Sequence, residues 1–426
     1  MLRSGTPNSV MRERAMHEKK SATRRQVLKG GGAALVGLAA GAGSAGAQTL
    51  RSTTPEDLAR ELMAYGRRSR FVKTGRITLD NKVNMQMHGD PNGFDALTPL
   101  GEQVGIITPA PLHFISSHGD PPPDIDPAKH RLMIHGMVER PLVFTLEELK
   151  RLPSVSRIHF IECLANRPQP GEERTLDQNH GLVGCSEWTG VPLSLLLKEA
   201  GVKPGARWVI GESLGRTQQA RSFPLGKAMM DDTLVAYGQN GEPVQPHNGY
   251  PLRLVIPGFE GKFQLKWLRG IKVTEEPYVT YWEHSSFTRR ERSPLGAYWE
   301  QGPKSVITYP AGGQRLPDHG YYTIVGFAWT GTGAVRAVEV STDGGRNWQE
   351  AEIEGPALPM AMTRFKLPWT WDGSEAVLQS RCIDERGDVQ PTPEEYGAFW
   401  GEYAAPHGNV IQPWRVTSVG RVVNAL

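Results

Sequence analysis

The sequence predicts an α+β domain followed by an antiparallel β-sandwich, and three observations carry that reading. From about Pro111 to Tyr281 short apolar runs alternate with helical patterns. After Pro303 the chain turns to alternating strands and tight turns. Between them, from Thr288 to Pro303, lies a charged, turn-rich stretch, Arg289-Arg290-Glu291-Arg292-Ser293-Pro294. A chain of 426 residues is also too long for one ordinary core.

Residues 1–47 read as a twin-arginine export signal. A basic stretch ends in Thr23-Arg24-Arg25-Gln26-Val27-Leu28-Lys29, a weakly apolar run follows from Gly30 to Ala42, and Ala45-Gly46-Ala47 closes it before Gln48. The run is too short and too rich in Gly and Ala to span about 30 Å of hydrocarbon. The expected location is therefore the bacterial periplasm, with no membrane span. Twin-arginine export carries folded proteins, which suits a chain that takes up a cofactor inside the cell. Residues 1–47 hold eight Lys/Arg and two Asp/Glu, so the remainder has 40 against 43 and a net charge of −3. No basic patch is left to argue for nucleic acid or an anionic membrane.

Residues 48–110 mix a helical pattern, Pro55 to Tyr65, with polar chain punctuated by Gly and Pro, and read as an N-terminal arm wrapped on the main domain. In the domain assigned to residues 111–287, the apolar runs Arg131 to Gly136, Ile158 to Glu162 and Leu252 to Ile256 read as strands. Thr145 to Lys150 and Pro192 to Ala200 read as helices, the first opened by Thr145 with Glu148 three residues on, a capping-box spacing. In the domain assigned to residues 303–426, Tyr321 to Trp329, Val335 to Val340 and Ala376 to Cys382 read as strands of a sandwich. Ser341-Thr342-Asp343-Gly344-Gly345-Arg346-Asn347-Trp348 supplies a hairpin turn between strands. It also fits the Asp-box of sialidase propellers, but a propeller would repeat it and here it occurs once.

Three cysteines, Cys163, Cys185 and Cys382, cannot build a disulfide framework. There is no C-x-x-C-H for haem, no C-x-x-C pair for zinc or iron–sulfur, and no Walker A or G-x-G-x-x-G loop for nucleotides. Cys163 stands at the end of an apolar strand in Phe160-Ile161-Glu162-Cys163-Leu164-Ala165-Asn166-Arg167. On local sequence alone it is a buried, inert thiol, the reading that Cys185 and Cys382 keep.

Other segments change the standing of Cys163. Together with Gly190-Val191-Pro192-Leu193, His247-Asn248-Gly249-Tyr250-Pro251-Leu252-Arg253-Leu254-Val255-Ile256-Pro257-Gly258 and Lys266-Trp267-Leu268-Arg269, its surroundings resemble the molybdopterin domain of the sulfite oxidase family. Val338 to Trp348 resembles that family's immunoglobulin-like dimerisation domain, and the likeness runs from about residue 100 to the end. The resemblance implies a Mo-molybdopterin cofactor, one molybdenum per chain, with Cys163 as the protein thiolate on the metal. It implies cofactor binding by His118, His247, Arg253, Gln264 and Lys266, and Arg167 as the catalytic cation beside the metal. A homodimer through the C-terminal domain follows. With no haem motif in this chain, a separate c-type cytochrome, most simply a dihaem one, is the implied electron acceptor.

The departures bear on substrate. Family members place an Arg two residues before the His matched by His118, where this chain has Ser116, and a Tyr after the Trp matched by Trp282, where it has Phe287. Cys163 is followed by Leu-Ala-Asn-Arg in place of Ala-Gly-Asn-Arg. Losing an Arg and a Tyr hydroxyl removes donors suited to a small oxyanion. Lys304-Ser305-Val306-Ile307-Thr308 resembles the molybdenum subunit of the sulfane dehydrogenase of thiosulfate oxidation, whose substrate is sulfane sulfur on a sulfur-carrier protein. That activity is the expectation, with free sulfite dehydrogenase as the alternative. A reductive family member, a silent scaffold and a glycan binder rank behind.

Overall fold

The computed structural model describes residues 54, 56, 60, 65, 66, 68–78, 95–117, 121–215, 219–280, 300–400 and 408–426. The expected signal, His118, Trp282, Phe287 and most of the arm helix expected from Pro55 lie outside these residues. The chain forms two units, residues 1–72 and 73–426. In the first, Val72 N donates to Ser69 O at 2.9 Å and closes a turn. All that follows concerns the second.

Its α+β part carries strands β1 (Ile77–Thr78), β2 (Ala96–Leu97), β3 (Leu132–Gly136), β4 (Leu142–Phe144), β5 (Val155–Glu162) and β6 (Val183–Pro192). These are followed by β7 (Trp208–Ser213), β8 (Ala220–Pro224), β9 (Leu234–Gln239), β10 (Glu242–Pro243), β11 (Arg253–Val255) and β12 (Leu268–Thr274). Helices α1 (Leu146–Arg151), α2 (Leu176–His180), α3 (Leu193–Ala200) and α4 (Leu225–Ala228) lie between them. The capping box read from Thr145 is present: Glu148 N donates to Thr145 Oγ1 at 3.1 Å, and Thr145 N to the Glu148 carboxylate at 2.7 Å. One sheet runs β10-β9-β6-β5 with β11 on β9, and the other runs β4-β3-β12-β7-β8. Val191, Val235 and Leu254 of the first share a core with Leu132, Ile134, Val209 and Ile271 of the second, sealed by Leu196 and Leu197 of α3. The α+β class follows from this packing of sheet on sheet and helix.

The C-terminal part holds β13 (Lys304–Tyr309), β14 (Gly320–Trp329), β15 (Val335–Ser341), β16 (Gln349–Glu350), β17 (Glu352–Glu354), β18 (Thr363–Trp371), β19 (Ala376–Asp384), β20 (Trp414–Val416) and β21 (Val422–Asn424). They form two sheets, β13-β14-β18-β17 and β16-β15-β19-β20-β21. Val306, Ile324, Phe365, Val338, Val340 and Leu378 fill the space between. The Asp343 turn is a structural hairpin: its carboxylate accepts from Arg346 N and Asn347 N at 3.0 Å, Asn347 Nδ2 at 2.7 Å and Ser341 Oγ at 2.8 Å. These donors, Asn347 foremost, hold Asp343 down at about 2. One element departs from the all-strand reading, helix α5 (Pro393–Trp400). Thr392 and Glu395 cap it reciprocally, Glu395 N donating to Thr392 Oγ1 at 3.2 Å and Thr392 N to Glu395 at 2.9 Å.

The two parts meet on β5. Alternation along a strand sends Phe160 and Glu162 to one face and Ile161 to the other. Phe160 lies 6.3 Å from the Trp329 ring and packs in the sandwich core, whereas Ile161 packs with the partly buried Cys163 in a separate cluster. Glu162 crosses the seam. Its Oε1 accepts from Lys304 Nζ at 2.6 Å and Asn166 Nδ2 at 2.7 Å, and its Oε2 from Trp329 Nε1 at 2.8 Å and Gln301 Nε2 at 3.2 Å. Lys304 also donates to Asn166 O at 2.5 Å. Glu162 is 4% exposed and Lys304 1%, so the pair works in a medium where each charge depends on the other.

Removing one partner of such a pair leaves a buried charge. Lys304→Met should cost about 3–5 kcal/mol, while Glu162→Gln combined with Lys304→Met should cost less than the single change. Urea unfolding of the variants measures both, and an equal loss in the single and double variants would contradict a coupled pair.

Candidate functional site

The seam ends at a thiol. Cys163 directly follows β5, its N donating to Leu182 O at 2.9 Å and its O accepting from Asn166 N at 2.9 Å. Asn166 ties the same loop to β6, its Oδ1 accepting from Leu182 N at 2.9 Å. Gly261 lies against this loop so closely that a Cβ there would stand 2.7 Å from Glu162 O. The Cys163 thiol donates to Ser116 Oγ across 3.9 Å. Burial pushes the thiol up to about 11, with the charges of Asp95 and Glu260 adding to it. Such a group holds its proton unless a metal cation takes the proton's place.

Facing it is a set of cations. Arg253 lies on β11, buried on the Trp188 ring at 5.2 Å, with Nη1 donating to Asn248 O at 2.7 Å and Nε without a hydrogen-bond partner. Lys266 Nζ donates to Ser117 Oγ at 3.1 Å and to His247 O at 3.2 Å. Gly249 lets the loops carrying these groups touch: at φ 118° it holds a conformation disfavoured for L side chains, and a Cβ would come 3.0 Å from Lys266 Cα. Trp267, at φ 53°, completes the junction with Nε1 donating to Pro246 O at 2.9 Å. Burial pulls Arg253 down to about 9. Burial, then the Arg253 charge, pulls Lys266 down to about 7, Asp95 opposing. His247 is lowered by burial, then by Arg76 and Lys266.

The buried ion pairs among the described residues are Lys227–Asp232, Lys262–Glu260 and Lys304–Glu162. Neither Arg253 nor Lys266 has a carboxylate within ion-pair distance there. Buried cations without an acid mark an anion site.

Of the residues singled out in the sequence, Arg253, Lys266 and His247 thus come together, with Cys163 near enough for its charge to bear on Lys266. Arg167 is half-buried on the domain seam, where a Cβ at Gly408 would meet its Cβ at 2.3 Å, and its charge bears on Tyr396 of α5. Gln264 is buried on the loop before Lys266. Its amide staples its own loop, donating to Ile256 O at 2.5 Å and Phe259 O at 3.1 Å and accepting from Ile256 N at 2.7 Å.

The structure adds residues that carry no sequence motif. Arg76 donates from Nε to His113 O at 2.7 Å and from Nη2 to Ala110 O at 3.0 Å. His113 is fully buried and drawn down to about 3 by burial, then by Arg253, with Arg76 and Lys266 contributing. Glu260 and Lys262 form a buried pair at 2.9 Å on the loop beside Cys163. Only the segment His247 to Gly258 could have announced the pocket, since its burial depends on contacts far apart in the chain.

A pyranopterin bearing a phosphate and holding a soft metal fits this donor set. Arg253 and Lys266, neither in an ion pair among the described residues, with the unpartnered Arg253 Nε, suit the anionic terminus, and the soft thiol of Cys163 suits the metal.

Comparison with known proteins agrees. Residues 118–282 match the model of the oxidoreductase molybdopterin binding domain, and residues 297–411 that of the Mo-co oxidoreductase dimerisation domain, which supports a homodimer. The sulfane dehydrogenase SoxCD from Paracoccus pantotrophus is similar in structure, with a TM-score of 0.73 and 34% identity, covering 91% of this chain and 96% of that one. The NADH nitrate reductases of Solanum lycopersicum and Arabidopsis thaliana are each 33% identical over 316 residues, 65% of this chain. The chain spans about a third of those relatives' length, 34%.

A lysine pulled from 10.5 to about 7 makes the cofactor-free protein pH-sensitive. Between those values the unfolded chain binds the extra proton, so the Lys266 contribution to stability rises as pH climbs from about 7 toward 10.5. Lys266→Met should flatten that part of the thermal-midpoint curve and raise the midpoint at neutral pH; parallel curves would contradict the buried cation.

Proposed function

This chain belongs to the sulfite oxidase family of molybdopterin oxidoreductases, and on that premise we propose that it is a periplasmic sulfur dehydrogenase. In this reading it oxidises sulfane sulfur held on a carrier protein during thiosulfate oxidation and passes the electrons to a c-type cytochrome. The observation that carries the substrate class is Ser116, set 3.9 Å from the Cys163 sulfur where the family has an Arg. A hydroxyl gives no fixed charge to grip a small free oxyanion. A substrate presented by a protein draws its binding energy from surface contacts and needs less of that grip. The likeness to SoxCD, which covers 91% of the chain, supports the same class.

When bound, molybdopterin supplies oxygen-atom transfer coupled to two-electron redox chemistry. The chain's residues prepare for it. Cys163 would give the metal its protein thiolate, positioned by the bonds to Leu182 and Asn166. Arg253 and Lys266 would hold the anionic terminus, with His247 beside them, its carbonyl accepting from Lys266. Arg167, the half-buried cation four residues beyond Cys163, favours negative charge developing on the product. The electrons leave for a separate protein.

Free sulfite dehydrogenase is the alternative. The likeness to nitrate reductases, at 33% identity, favours a third reading, reduction of nitrate. Holo-protein assayed with a persulfidated carrier, with sulfite and with nitrate separates them. Carrier oxidation coupled to cytochrome c reduction is expected; fast turnover of free sulfite or nitrate with no response to the carrier would overturn the proposal. Cys163→Ser should fold as the parent does and lose at least about a hundredfold in rate, with the thermal midpoint as control. A rate equal to the parent's would remove Cys163 from the metal.

A further inference from the structure

We propose that Arg76, carried by the segment of residues 73–78, is a further cation of the cofactor's anion site, so that loading the cofactor fixes that segment in place. This rests on the molybdopterin reading and adds to it a residue from outside the matched domains.

The geometry links Arg76 to the cation cluster. Two of its donors go to His113 O and Ala110 O; Ala110 O also accepts from Asn248 Nδ2 at 3.2 Å, and Asn248 O from Arg253 Nη1 at 2.7 Å, so one residue joins Arg76 to Arg253. Its charge bears on His113, Lys266 and His247, three residues of the same pocket. Asp95 is the acid that offsets Lys266, and it offsets only part of a cluster that also holds Arg253.

β1 is a two-residue strand paired through Ile77 to Leu97 and Thr78 to Ala96, and Ile77 stays 37% exposed. Thr74 Oγ1 donates to the Glu102 carboxylate. A strand that short, with so little apolar burial, docks weakly by itself. Without a bound anion the charge of Arg76 adds to that of Arg253 and Lys266 and works against docking; a phosphate among them turns the repulsion into attraction. Whatever binds the docked form alone then stabilises docking by mass action.

The test uses the full-length protein, with and without cofactor, in wild-type, Arg76→Met and Arg76→Lys forms. Retained pterin is read by the fluorescence of its oxidised form after dialysis, and docking of residues 73–78 by the rate of tryptic cleavage after Lys73, which is exposed. In wild-type protein the cofactor should slow cleavage; in Arg76→Met, cleavage should be fast with or without it. The variant should lose pterin about tenfold faster or more, the factor a charged hydrogen bond is worth, at an unchanged thermal midpoint. Arg76→Lys should recover part of both. Equal pterin retention in wild-type and Arg76→Met, or cleavage indifferent to cofactor in wild type, overturns the inference and leaves the family reading intact. Wild-type protein that binds no pterin overturns both.

Discussion

One carboxylate organises this molecule. Glu162 draws Lys304, Trp329 and Gln301 from the C-terminal part and Asn166 from its own loop onto two oxygens, one residue ahead of the thiol. A buried ion pair adds little net stability over an apolar pair of the same shape, but it tolerates few alternatives, because a slip of the seam strands a charge in the interior. Register is what it fixes. Since β5 alternates, any shift that moves Glu162 off Lys304 also moves Ile161 and Cys163 off the pocket.

The pocket is governed by the opposite condition, charge without a local answer. Arg253 and Lys266 are buried where burial lowers their affinity for protons, and Cys163 where burial raises it. Each of these shifts reports a site poised for a counter-charge that, among the described residues, Asp95 supplies only in part. A ligand that is anionic at one end and carries a soft metal at the other answers both demands. The left-handed Trp267 and Gly249, which bring the two loops together, are held in place by the surrounding sheets.

Much of the framework was legible from local rules. The Thr145 capping box, the alternating strands and the Asp343 turn depend on residues close in the chain, and local spacing reveals them. The site was legible only in part. Arg253 reads as an outward strand residue by period, yet β11 is buried on both faces. Lys266 reads as a solvated charge, and its burial depends on Gly249 in another loop. Glu162 was visible only as a polar residue in an apolar run, since its partner Lys304 lies 142 residues away. Gln264 was read through its neighbours, while its amide serves the backbone. Helix α5 was hidden in a proline-rich stretch that the strand reading did not resolve into a capped turn.

The two faces of β5 also bear on how such chains diversify. Exchange of the C-terminal sandwich for one from a related protein would import residues at the positions of Lys304, Trp329 and Gln301, and a recipient keeping Glu162 would accept only those that restore its donors. The boundary between the parts is a seam in sequence but not in inheritance: the residue ahead of the thiol and the first strand of the sandwich must change together or not at all.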